Sequence, residues 1–103
     1  MDWKNKENKR LIQAILALKA DDETKRFLRD LMTEKEIEEF AKRLKVAEML
    51  TEKIPYAVIE KTGLSSTTIA RVAKWLNGKG GGYRTIINRL HHHNPPQPRR
   101  ELS

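Results

Sequence analysis

One short run of the sequence, SSTTIARVAK, combines four hydroxyl side chains with an arginine and a lysine. Hydroxyl groups hydrogen-bond base edges or phosphates, arginine can donate two parallel hydrogen bonds to a guanine, and alanine can contact a thymine methyl group. A helix that exposes such side chains along one side is suited to the major groove of DNA. The run therefore predicts a DNA-contacting surface formed by Ser65, Ser66, Thr67, Thr68, Ala70, Arg71, Lys74 and, a few residues later, Lys79.

The sequence around this run predicts the two helices that would present it. Pro55 suits the first turn of a helix, Gly63 can take the left-handed conformation that ends a helix sharply, and Ser65 can cap the next one. A helix-turn-helix needs such a corner, an apolar lock between its helices and an outward polar or basic face. Residues 55–77 are therefore predicted to form a helix-turn-helix. The lock is predicted to consist of Val58, Ile59, Leu64, Ile69 and Val72.

Basic charge is concentrated in the part of the chain that contains this helix pair. The net charge is +7, and residues 55–103 hold eight Lys/Arg against two Asp/Glu, whereas residues 33–54 hold five against six. Such an asymmetry is typical of a surface that binds a polyanion, although a basic surface also serves solubility. Combined with the helix pair, it favours double-stranded DNA as partner over a helical hairpin whose hydroxyl cluster only caps a helix.

The rest of the sequence predicts four further helices and no strand, which makes the fold all-α with six helices. These helices are expected at about residues 3–19, 20–32, 33–50 and 83–90. The best-marked boundary is the third, where Thr33 and Glu36 form a capping box. We expect one helical domain over residues 1–91, followed by a disordered basic tail over residues 92–103.

Composition narrows the environment of the protein. No apolar run approaches the roughly 20 residues that span a bilayer, and the polar start MDWKNKENKR does not resemble a secretory signal. The absence of cysteine excludes a disulfide framework and a thiolate zinc site. We therefore expect a cytoplasmic protein without membrane contact.

The segment LMTEKEIEEFAKRLKVAEMLTEK, followed by the helix pair and NGKGGGY, resembles the Trp-repressor superfamily and most closely its YerC/YecD group. The likeness runs from about Leu31 to Leu90, and this superfamily tolerates a large residue such as Ile59 where most helix-turn-helix proteins have a small one. The resemblance implies an intertwined homodimer from which the helix-turn-helix heads project. It also implies a transcriptional regulator, with repression as the expected action, that binds a pseudo-palindromic operator.

The resemblance further implies an effector pocket between the heads and the dimer core. Its matching positions here are Thr33, Arg43 and Arg71, while Val72 and Trp75 replace the glycine and serine of the Trp repressor. Because Val72 fills the room that glycine leaves for an indole, tryptophan is not expected as co-repressor, and no cofactor is predicted. A different, anionic effector stays open. So does a simpler role for both arginines in ion pairs or phosphate contacts.

No set of residues in the sequence predicts catalysis. The only histidines are His91, His92 and His93, and three adjacent histidines point in different directions, so they make a poor metal site and are assigned to the tail. We therefore expect no metal and no enzymatic activity. Besides a DNA-binding regulator, the alternative is a helical protein-interaction module of the transcription machinery.

Overall fold

The computed structural model describes residues 1–93, which form six α-helices and no strand. In chain order the helices are α1 (Lys6–Leu16), α2 (Asp21–Leu31), α3 (Glu34–Thr51), α4 (Tyr56–Ile59), α5 (Ser66–Asn77) and α6 (Gly82–His93). The predicted all-α fold is confirmed. Within the described range, no helix is both long and apolar enough to cross a bilayer. The chain divides into two compact units, the first ending at Ile37 and the second beginning at Glu38.

In the first unit, α1 is shorter at both ends than the sequence predicts. Asn5 Oδ1 accepts hydrogen bonds from the backbone N–H groups of Glu7 at 2.9 Å and Asn8 at 3.1 Å, so the helix begins after Asn5 rather than at residue 3. At the other end, α1 stops at Leu16, and beyond it the Lys19 N–H donates to Glu23 Oε2 in the first turn of α2 at 2.7 Å. The chain therefore turns towards α2 instead of remaining helical to residue 19.

The first unit has no buried core in the single chain, since no side chain from residue 1 to 37 is buried. The apolar stripe of α1 is largely in solvent, with Leu11 39%, Ile12 40% and Ile15 47% exposed. Large apolar side chains at such exposure mark a surface that another element or molecule covers.

The capping box predicted at the start of α3 is confirmed. Glu36 Oε1 accepts the Thr33 backbone N–H at 2.9 Å, and Thr33 Oγ1 accepts the Glu36 backbone N–H at 3.1 Å. Each side chain thus satisfies a backbone donor that the first helical turn leaves unpaired.

The second unit has one apolar core, to which four helices contribute. Its most deeply buried large side chains are Val46 from α3, Ile59 from α4 and Val72 from α5. The full buried set is Val46, Ala47, Met49, Ile59, Leu64, Ile69, Val72, Leu76 and Ile87. The predicted lock of α4 on α5 is therefore only part of a larger core that α3 and α6 complete.

The corner between α4 and α5 has the predicted geometry. A 3₁₀ turn over Glu60–Thr62 follows α4, and Gly63 ends it with a φ of 92°, a left-handed conformation that side chains with a Cβ disfavour. We call the segment from Tyr56 to Asn77 the head. One member of the predicted lock is wrong, because Val58 is 42% exposed. With only four residues, α4 turns Ile59 into the core and leaves Val58 in solvent.

The last helix runs further than expected, because α6 ends at His93 rather than near Leu90. The assignment of all three histidines to the tail is therefore wrong. No helix-breaking residue occurs before Pro95, and His91 Nε2 lies 3.5 Å from Glu48 Oε2 on α3. The remaining predicted tail, residues 94–103, lies outside the described residues.

Candidate nucleic-acid interface

The two sides of α5 have opposite characters. Ile69, Val72 and Leu76 are 2%, 2% and 4% exposed and form the stripe that packs into the core. The opposite side, which we call the outer face of α5, is exposed along its whole length and consists of Ser66, Thr67, Ala70, Arg71 and Lys74. Their spacing of three and four residues places these side chains on one side of the helix. The core therefore fixes which side chains of the head meet solvent.

Hydroxyl groups at the start of α5 divide into two kinds. Ser65 is the cap, since its Oγ accepts the Thr68 backbone N–H at 3.1 Å and its hydroxyl donates to Thr68 Oγ1 at 2.9 Å. Those two hydroxyls hold the helix start. Ser66 and Thr67, in contrast, make no side-chain hydrogen bond in the described part of the chain and are exposed. They are thus the hydroxyls available to a partner.

The outer face has uncompensated positive charge. The segment of α5 contains no Asp or Glu, and no ion pair within residues 1–93 involves Arg71, Lys74 or Lys79. The partial positive charge at the helix N-terminus adds to this field, because the first backbone N–H groups of a helix lack intrahelical partners. A phosphate near Ser66 would be attracted both by the basic side chains and by the N-terminus of α5.

The loop that carries Lys79 follows a defined path between α5 and α6. A Cβ on Gly81 would lie 2.8 Å from the Trp75 carbonyl oxygen, so only glycine fits at this close approach. Across the loop, Arg84 Nη2 donates to Asn77 Oδ1 at 2.9 Å. These two contacts fix the ends of the loop and leave Lys79 exposed beside the head.

The described hydrogen bonds and ion pairs join none of the five candidate effector residues to another. Thr33 lies in the first unit, where its hydroxyl accepts the Glu36 N–H. Arg43 Nε lies 3.3 Å from Glu39 Oε2 in an ion pair within α3. Arg71 is on the outer face of α5. Val72 is buried in the core. The effector pocket therefore stays a prediction.

Trp75, the fifth candidate effector residue, lies at the surface although a large aromatic side chain favours burial. It is 61% exposed, because it lies beside the stripe of Ile69, Val72 and Leu76 rather than within it. Tyr83 is partly buried against the core. Both line an apolar groove of about 430 Å³ together with Leu44, Gly81, Gly82 and Ile86.

Solved structures share this arrangement of helices. A crystal structure of a TrpR-like protein from Eubacterium eligens ATCC 27750 superposes with a TM-score of 0.80 at 42% sequence identity, covering 86% of this chain and 93% of that one. A candidate Trp repressor from Staphylococcus aureus also gives a TM-score of 0.80, at 34% identity over 88% of this chain and 95% of its own.

Sequence comparison gives the same relationship. The chain is 42% identical over 88 residues to YerC of Bacillus subtilis (strain 168), a protein of uncharacterized function, and the match covers 84% of this chain and 85% of YerC. The family model for Trp repressor protein matches residues 6–91, which include all six helices except the last two residues of α6. The chain therefore belongs to the Trp repressor family, whose members are DNA-binding regulators rather than enzymes, and within that family to the YerC group.

Proposed function

We propose that the protein is a sequence-specific transcriptional regulator that represses by binding a pseudo-palindromic operator as a homodimer. The observation that carries this proposal is the outer face of α5, which exposes Thr67, Ala70 and Arg71 on one side of a helix locked by its other side. In a helix-turn-helix such a face enters the major groove, where arginine pairs with guanine and short side chains allow close approach.

Phosphate contacts would hold this helix in register. Lys74 and Lys79 lie at the end of α5 and in the following loop, where exposed cations suit the DNA backbone rather than base edges. Ser66 sits at the helix N-terminus, which is a favourable place for a phosphate. We therefore assign sequence reading to Thr67, Ala70 and Arg71, and positioning to Ser66 and the two lysines.

A second copy of the chain would cover the apolar surface that one copy leaves exposed. Trp3 is 60% and Phe40 is 45% exposed, and no side chain of the first unit is buried. A chain of 103 residues buries only about two thirds of the surface of its unfolded state, so a shared core adds substantial stability. To reach two half-sites in successive turns of DNA, the two copies of α5 in a twofold dimer would have to lie about 34 Å apart.

If folding and association are one event, the midpoint temperature of unfolding should rise with protein concentration. Thermal unfolding followed by circular dichroism over a hundredfold concentration range is the measurement, with sedimentation velocity on the same samples. A midpoint independent of concentration, together with a monomeric sedimentation profile, would contradict the shared core.

Tryptophan should not be needed for DNA binding. Val72, at the position where the Trp repressor has a glycine, is 2% exposed and packs in the core, so its side chain supplies apolar packing that an indole could otherwise supply. We expect calorimetry to detect weak or no binding of free tryptophan, and DNA affinity to be the same with and without it. A gain of tenfold or more in DNA affinity, about 1.4 kcal/mol of coupling, would contradict this expectation.

The alternative function, a protein-interaction module of the transcription machinery, predicts a different response to salt. A protein that contacts several DNA phosphates releases counterions on binding, and should lose affinity by about a thousandfold or more between roughly 50 and 200 mM salt. Fluorescence anisotropy with a labelled duplex over this range tests the proposal. Absence of measurable duplex binding at low salt would favour the protein-interaction module.

A further inference from the structure

Helix α1 carries a basic surface that is not part of the head. Lys6, Lys9, Arg10 and Gln13 recur at the spacing that places residues on one side of a helix, and we call them the basic face of α1. With Lys4 and Glu7 they line a groove of about 530 Å³ in the first unit. The apolar stripe of Leu11, Ile12 and Ile15 occupies the other side of the helix.

The positive charges of the basic face repel one another and so do not stabilise α1. Within residues 1–93, no ion pair involves Lys6, Lys9 or Arg10, and the described hydrogen-bond partner of Arg10 is Gln13, whose Oε1 accepts from Nη1 at 3.0 Å. Like charges three or four residues apart repel one another. Lys6, in the first turn of α1, also opposes the helix dipole, whereas Glu7 in the same turn favours it.

Helix α2 shows the opposite arrangement in the same unit. Its first turn is acidic, and Lys25 Nζ lies 3.1 Å from Asp21 Oδ2 in an ion pair across one turn. Arg26 pairs with Asp22 in the same way. Because each of these lysine and arginine residues has a carboxylate one turn before it, the charges of α2 support the helix. In α1, Glu7 precedes Arg10 by three residues, but no ion pair within residues 1–93 involves Lys6, Lys9 or Arg10, so these three cations stay available to an external anion.

We propose that the basic face of α1 binds the phosphate backbone of duplex DNA, independently of sequence, as a second contact surface besides α5. This inference rests on the proposed function, because it takes DNA as the partner. Three unpaired cations on one side of a helix are complementary to a row of phosphates. A second chain that covers the apolar stripe would leave the basic face exposed, since the two lie on opposite sides of α1.

The test compares two triple variants with the same change in net charge. One removes the basic face (Lys6→Gln, Lys9→Gln, Arg10→Gln). The control removes three cations of α2 (Lys25→Gln, Arg26→Gln, Arg29→Gln). The probe is a random-sequence duplex, and the readout is the slope of log affinity against log salt. We expect the α1 variant to lose about 2 to 3 per subunit from the magnitude of this slope, or about 5 for the homodimer, and the control to change it little.

Thermal unfolding supplies a second readout that a purely structural role would not give. The α1 variant should keep or raise the midpoint temperature, because it removes repulsion, whereas the α2 control should lower it, because it removes ion pairs. The single variant Lys9→Gln, with an expected slope loss of about 1 per subunit, or about 2 for the homodimer, covers the case in which the triple variant misfolds.

Equal slope losses in both triple variants would overturn the inference, because they would show an effect of net charge alone. An unchanged slope in the α1 variant, with Arg71→Ala still reducing selectivity, would overturn it and leave the proposed function standing. The same follows if the α1 variant binds DNA normally but loses binding to phosphatidylserine vesicles, since basic amphipathic helices also bind anionic lipid. A wild-type chain that binds no duplex would refute both proposals.

Discussion

Replacement of Ile59 by alanine is expected to lower the free energy of unfolding by about 2 to 5 kcal/mol. Ile59 is 1% exposed and joins α4 to the core formed by α3, α5 and α6. Truncation would remove apolar contacts and leave a cavity that the surrounding helices fill only in part. Urea denaturation at one fixed protein concentration measures the change.

The neighbouring residue offers a matched control. Val58 is on the same short helix but is 42% exposed, so Val58→Ala should change the free energy of unfolding by no more than about 0.5 kcal/mol. Similar losses of unfolding free energy for both variants would show that Ile59 does not anchor α4 to the core. The comparison also tests why this chain has a large residue where most helix-turn-helix sequences have a small one.

Replacement of Arg71 by alanine should reduce affinity for a selected duplex by about 1 to 3 kcal/mol while changing affinity for random duplex much less. Arg71 is exposed in the middle of the outer face, and no ion pair within residues 1–93 holds its guanidinium. A forked pair of hydrogen bonds to guanine distinguishes one base pair from the others. The selected duplex would come from a random library enriched for binding.

Lys74→Ala and Lys79→Ala serve as controls for charge. Each should weaken binding to selected and random duplex alike and reduce the salt slope by about 1 per subunit, or about 2 for the homodimer, as loss of one phosphate contact in each subunit does. If Arg71→Ala also left the ratio of selected to random affinity unchanged, its assignment to base reading would be wrong, although the lysine contacts would be unaffected.

Local signals in the sequence predicted the corners of the fold. The capping box of Thr33 and Glu36, the cap at Ser65 and the left-handed Gly63 each depend on a few neighbouring residues, and all three are present. The outward side of α5 was predictable for a similar reason, since the helical period separates Arg71 from the buried Ile69.

Features that depend on packing between distant segments were not predictable. Val58 and Trp75 look like core residues by type, but the length of α4 and the stripe on α5 leave both exposed. The extension of α6 to His93 involves the contact of His91 with Glu48, more than forty residues earlier in the chain.

The most direct test of sequence-specific DNA binding is the affinity of the unmodified protein for a selected duplex and for a random duplex of equal length, without tryptophan. Both affinities should be measured at one physiological salt concentration, because phosphate contacts alone bind any duplex. We expect the affinity for the selected duplex to exceed the affinity for the random duplex by about a thousandfold or more. Equal affinities for the two duplexes would contradict the assignment of α5 as a sequence-reading helix.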